Sequence, residues 1–132
     1  MAQRNVEIAR RWWASFNENG VPPLELCNEH VFVRNPDGFP VTGPYHGHAG
    51  IRQWALDVYD VLEDFRVEPE EVIPLGEGGV VLVGLRQTGR WKYTQLPTEV
   101  LWATLMTIRN GKLVHAQGYV SKAQALRAAG AE

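Results

Sequence analysis

Cysteine is almost missing from this chain. Cys27 stands alone among 132 residues, so no disulfide can form within it, and a reducing compartment is the simpler setting. Neither sign of charge predominates. The formal balance is −2, and the one basic pair, Arg10-Arg11, lies beside Trp12 on a helix and not in a stripe, which argues against a nucleic-acid partner. No apolar run approaches the length of a transmembrane helix, and the opening MAQRNVEIARRWW lacks the apolar core of a signal peptide. The expectation is a soluble, cytoplasmic protein with no membrane partner. There is no Ser-His-Asp signature and no P-loop. Gly76-Glu77-Gly78-Gly79 reads as a hairpin turn, because no helix follows it to cradle a phosphate. His46 and His48 form an isolated His-x-His, with His30 and His115 distant in sequence, too few for a site that needs three or four ligands. Neither a metal nor a cofactor is expected.

What is present suffices for one domain spanning residues 1–132, with 45% hydrophobic content and no linker or repeat. Residues 3–18 predict a first helix, with Val6, Ala9, Trp13 and Phe16 on one stripe and Ile8 and Trp12 widening it. Asn19-Gly20 stops it and Pro22-Pro23 prevents its continuation. A short helix through Leu24 and Leu26 follows, with Cys27 read as core after it, and then a strand beginning at Val31-Phe32-Val33. Residues 34–47 hold three prolines and three glycines and predict a loop. Residues 48–65 predict the clearest helix, from Ile51, Trp54, Ala55, Val58, Leu62 and Phe65 at helical spacing, with Asp57, Asp60, Glu63 and Asp64 on solvated faces.

The rest predicts strands. Residues 66–73 suit an edge strand, since Pro69 cannot donate a ladder hydrogen bond. Residues 80–85 (VVLVGL) are apolar on both faces, and residues 91–94 (WKYT) alternate and lead through Pro97 into the next strand. Residues 100–108 (VLWATLMTI) read as a buried strand, 109–111 as a tight turn and 112–120 as a further strand. Ser121-Lys122-Ala123-Gln124 opens a last helix with a capping box, closed by Gly130. One face of an antiparallel sheet usually meets solvent. Two strands apolar on both faces therefore predict a homodimer through the sheet's outer face.

These stretches resemble the nuclear transport factor 2-like superfamily and, within it, the SnoaL-like group. The resemblance rests on residues 45–54 (YHGHAGIRQW), 64–68 (DFRVE), 108–114 (IRNGKLV) and 123–130 (AQALRAAG). It implies an α+β cone, a bent mixed sheet wrapped around helices with an apolar pocket at its wide end, and frequent dimers. The shape hosts isomerases, cyclases, hydrolases, dehydratases and non-catalytic adaptors. Relatives that isomerise ketosteroids use a helix tyrosine, an aspartate base and a second, protonated acid. This chain has Trp12, Asn35 and Thr104 at those positions. The acid/base aspartate of the aldol-type cyclases aligns with Gly118, and no Asp-Arg-Asp set of the limonene-epoxide-hydrolase kind can be assembled. The resemblance carries the scaffold and not its catalytic residues.

The expected function is therefore a pocket for a small apolar molecule, polyketide-, terpene- or steroid-like. Its expected wall is Trp12, Phe16, Asn35, Tyr45, Trp54, Val58, Trp102, Thr104, Met106, Ala116 and Gly118, with Asn35 and Thr104 as polar anchors. An alternative is a cofactor-independent lyase, isomerase or hydrolase using Asp37, His46 or His115 as acid/base. For Asp37 the competing reading is a turn residue of Asn-Pro-Asp-Gly. His115 shares a strand face with Gln117 and Tyr119, opposite Ala116 and Gly118. Only one of these sets can face the pocket, and the resemblance favours the small one. A third reading is a dimeric interaction module whose tryptophans fill the cone.

Overall fold

The computed structural model describes residues 2–76 and 78–130. Glu77, in the expected hairpin turn, lies outside them. Helix α1 (Ala2–Asn19) ends as expected at Gly20, whose φ of +75° suits glycine and whose N–H donates to the Phe16 carbonyl at 2.9 Å. A single 3₁₀ turn (Leu24–Leu26) leads into β1 (Cys27–Arg34). The strand thus begins four residues before the expected Val31, and Cys27 is buried at its start. Within the proline-rich loop, Tyr45–His46 (β2) pairs antiparallel with β1 and opens directly into α2 (Gly47–Val61).

Four long strands follow: β3 (Leu62–Leu75), β4 (Val80–Trp91), β5 (Pro97–Arg109) and β6 (Lys112–Tyr119). A closing helix, α3 (Lys122–Ala128), completes the order. The sheet runs β2-β1-β6-β5-β4-β3, antiparallel except where β1 lies parallel to β6. α1 and α2 pack on one face of it. The Asn17 amide clamps α1 to β3 by donating to the Val67 carbonyl at 2.7 Å and accepting from the Val67 N–H at 2.9 Å. This is an α+β cone. Asn110 and Gly111 both take positive φ in the β5–β6 turn, as a two-residue hairpin requires.

Two expected elements are corrected. The helix expected to reach residue 65 stops at Val61, so Leu62 and Phe65 belong to β3. Leu62 pairs with Trp91, and a bulge between Glu63 and Arg66, with Asp64 at φ +53°, turns the strand. A bulged strand can therefore mimic helical spacing over one turn. The WKYT stretch is the end of β4 and the hairpin turn beyond it, held by Trp91 N–H to the Leu96 carbonyl and Gln95 N–H to the Trp91 carbonyl. Alternation over four residues is too short to distinguish strand from turn.

The sheet's outer face is covered in part by the chain itself. Leu82 and Ala103 are buried there under Ala125 of α3. That contact explains much of the double-sided apolar pattern in β4 and β5 without a second subunit. The helix is capped nearly as expected: Ser121 Oγ accepts the Gln124 N–H at 3.1 Å, and Gln124 reaches back to the Val120 N–H, one residue earlier than the usual box.

Candidate functional site

Inside the cone, alternation decides which side chains meet the helices. On β5 the inward set includes Val100, Trp102, Thr104, Met106 and Ile108, and on β6 it is Leu113 and, past a bulge, Ala116 and Gly118, the small set. His115, Gln117 and Tyr119 face outward. The narrow part of the cone is solid. Trp12 is buried against Trp13, Trp54 and Phe16, with ring centroids at 4.8, 5.7 and 6.2 Å. Thr104 is buried and donates its hydroxyl to the Gln117 carbonyl. The space beside Gly118 is occupied by Pro36, whose Cδ would lie 2.6 Å from a Cβ placed there. The cavity expected between Trp12, Trp54, Thr104 and Gly118 is therefore filled. Phe16, Tyr45, Met106 and Ala116 likewise do not border open space.

Toward the other end lies a more enclosed cavity of about 310 Å³. Its walls come from four places: Trp13 on α1; Trp54, Val58 and Val61 on α2; the loop residues Asn35 and Gly38 to Val41; and the adjoining ends of β3, β4 and β5, which contribute Leu62, Phe65, Val67, Gln87, Trp91, Thr98, Val100 and Trp102. Of the expected wall, Asn35, Trp54, Val58 and Trp102 are present. The tryptophans thus do both jobs, Trp12 as core and Trp13, Trp54, Trp91 and Trp102 as lining.

Trp91, Gln87, Thr98 and Val100 were not anticipated, although the signal existed. Counting by twos from Val81 through Val83 and Leu85 arrives at Gln87 and Trp91 on the same face. Counting back from Trp102 arrives at Val100 and Thr98.

The cavity's polar groups are few. Asn35 is buried; its backbone N–H donates to the Thr42 carbonyl and its side-chain Nδ2 to the Val41 carbonyl at 2.7 Å. The amide is thereby oriented, and no described residue donates to its Oδ1. Gln87 and Thr98 add an amide and a hydroxyl. The indole nitrogens of Trp13 and Trp102 have no acceptor among the described residues, but protein encloses both, so they present no donor to a guest. Among the described residues, no carboxylate, histidine, lysine or arginine lines this cavity.

The acid/base candidates lie elsewhere. Asp37 is exposed and paired with Arg34 at 2.7 Å, which fits the turn reading. His46 and His115 flank Phe32 on the outer face; His115 stacks on it at 5.3 Å and His46 meets it edge-on at 6.2 Å. His48 Nε2 lies 3.0 Å from the Cys27 carbonyl, tying the start of α2 to β1. Among the described residues, no three potential metal ligands cluster.

Behind the wall, the ring of Tyr45 stacks on Trp54 at 6.1 Å. Its hydroxyl donates to Asp57 at 2.8 Å, and Gln53 donates to the other Asp57 oxygen at 2.7 Å. Burial, followed by the hydrogen bond to Asp57 and that residue's charge, pushes the Tyr45 pKa well up. Asp57 is thus a buttress for the cavity's Trp54 wall, which its place on a solvated helix face did not reveal. Burial also raises the Cys27 thiol, offset in part by the Trp12 indole beside it and reinforced by Glu25.

No curated protein resembles the sequence closely enough to count as a match. Solved structures do match over nearly the whole chain. A nuclear transport factor 2-like protein of unknown function from Burkholderia pseudomallei superposes with a TM-score of 0.76 at 19% identity, covering 94% of this chain and 95% of its own. A protein with a ketosteroid isomerase-like fold from Catenulispora acidiphila, in complex with trimethylamine, gives 0.70 at 21% identity over 96% and 94%. A further nuclear transport factor 2-like protein, from Burkholderia xenovorans, gives 0.72 at 25% identity over 96% and 95%. These likenesses establish the fold. The sequence model of the SnoaL-like domain matches residues 9–116, most of the chain, and the protein therefore belongs to the SnoaL-like domain family.

Proposed function

We propose that this protein binds a small, largely apolar molecule in the cavity at the wide end of the cone. The observation that carries the reading is the cavity itself, about 310 Å³ of space walled by tryptophan, phenylalanine and aliphatic side chains. That is the size and character of a small-molecule site, with polar groups few enough to orient a ligand without dominating its burial. Asp37, His46 and His115 do not border this cavity, so catalysis within it by any of them gains no support; Asp37 lies instead at a more open groove beside Arg34 and Gly118. A pocket-less interaction module is disfavoured by the open space. The relative from Catenulispora acidiphila holds trimethylamine, so a small guest in this fold has a precedent.

The neutral fluorophore N-phenylnaphthylamine tests the reading. Its emission should rise on binding to the native protein. Val100→Trp, which fills the cavity from β5, should abolish that rise while leaving the circular dichroism spectrum unchanged. An undiminished rise in the folded variant would place binding elsewhere and refute the proposal.

The homodimer remains part of the proposal, in a reduced form. Leu101 stays exposed on the face of β5 that also carries the buried Ala103. Sedimentation equilibrium should report a dimer, and Leu101→Glu should shift it to monomer. A native protein that stays monomeric would remove this part.

A further inference from the structure

The proposed binding reading leaves open what kind of guest the cavity prefers, and its electrostatics narrow that choice. Six aromatic rings border it: Trp13, Trp54, Trp91, Trp102, Phe39 and Phe65. Their planes turn through near-right angles. Trp13 meets Trp102 at 88° and Trp54 at 87°, and Phe39 meets Trp102 at 71°. Trp13 and Trp54 each turn a face onto a stacked neighbour, Phe16 and Tyr45 respectively, whereas Trp91, Trp102, Phe39 and Phe65 stack on no described ring, so their quadrupoles are the ones left to meet a guest. The polar group held in place at this wall is Asn35. Its Nδ2 is committed to Val41, so the free end of the amide is the Oδ1 acceptor. No cationic side chain lines the space among the described residues, and the enclosed indole N–H groups offer nothing to an anion. An anionic guest would lose its hydration without a counter-charge. A neutral guest would gain burial alone. No carboxylate lines the space among the described residues, so a cation also loses hydration without a counter-charge; a soft cation, large and weakly hydrated, loses least and gains the attraction of the rings and of the Asn35 Oδ1 dipole in return.

We infer that the cavity is selective for a small organic cation of the tertiary or quaternary ammonium class over a neutral molecule of the same shape. This rests on the binding reading above, so the test uses a pair of guests that separates the two. Phenyltrimethylammonium and tert-butylbenzene share a shape and differ by one nuclear charge. Titration calorimetry and ligand-observed NMR on the intact protein should show the cation binding about 10-fold tighter, the scale of a desolvated ring-face attraction.

Trp91→Leu supplies the second arm. Trp91 is only half-buried at the end of β4, so its replacement is compatible with folding and keeps the wall apolar. The variant should weaken the cation several-fold more than the neutral guest, which loses only apolar contact. Equal or tighter binding of tert-butylbenzene would overturn the charge selectivity and leave the binding site standing. Equal losses for both guests in Trp91→Leu would also overturn it, since the ring would then act only as apolar surface. Failure of both guests to bind, up to the solubility of each, would overturn this inference and the binding reading together.

Discussion

Gly118→Ala puts the packing of the cone to a direct test. The glycine sits on β6 opposite Thr104, with ordinary strand backbone, so alanine meets no conformational penalty there. The obstacle is steric. An added Cβ would lie 2.6 Å from Pro36 Cδ, 2.9 Å from Pro36 N and 3.1 Å from Pro36 Cγ. A proline ring cannot rotate aside, and Pro36 follows Asn35, whose backbone and side chain are both hydrogen-bonded across the loop. Relief requires the loop to move as a unit. Overpacking of this kind costs about 1–3 kcal/mol. For a domain of this length, each kcal/mol lowers Tm by roughly 3–4 °C, so the expected drop is about 3–12 °C. Because Asn35 and residues 38–41 form a cavity wall, binding of N-phenylnaphthylamine should weaken in step. Gly84→Ala is the matched control, since its Cβ would meet only ordinary contacts, the nearest being Glu71 Cβ at 3.6 Å. Thermal melts followed by circular dichroism measure both. A Gly118→Ala melt coinciding with that of Gly84→Ala would refute the claim that Pro36 plugs the space beside this strand.

Three further outcomes follow from the same geometry. Tyr45→Phe should cost about 1 kcal/mol in urea denaturation at neutral pH, the worth of a hydrogen bond to a partly exposed carboxylate. The raised Tyr45 pKa also makes native stability complete below the ordinary tyrosine value of about 10 and lost as pH rises above it, a slope that Tyr45→Phe should flatten. Asn35→Asp should destabilise by about 1–3 kcal/mol at pH 7, since it places a carboxylate against the Val41 carbonyl. Burial would raise that carboxyl's pKa, so stability should recover as pH falls toward the ordinary aspartate value; a variant as stable as the native protein at pH 7 would contradict the packing described. Cys27, buried and with its thiol pKa raised, should resist aromatic disulfide reagents in the native state and react fully in denaturant. Rapid native labelling would show that β1 opens readily.

Much of the architecture was legible in residue order. Turn chemistry at Asn19-Gly20 and Asn110-Gly111, the Ser121 cap and the helical stripe through Trp54 and Val58 are local signals, and each appears where local physics places it. The resemblance also set the register of β6, and with it the inward Ala116 and Gly118. The end of α2 was less legible, because the bulged start of β3 repeats apolar residues at a helix-like spacing and only pairing with β4 tells the two apart.

Residue order was enough for an α+β cone with tryptophans inside it and with no carboxylate at Asn35, Thr104 or Gly118, where the family resemblance implies catalytic acids. This is so because periodicity, turn residues and the presence or absence of a carboxylate are properties of the chain read in order. Where the empty space falls was decided by tertiary structure alone. Pro36 closes the space at Gly118, Trp12 packs solid against Trp13 and Trp54, and the cavity opens instead where the ends of three strands meet α2. A void is what remains after distant side chains have packed, and no local pattern records its position.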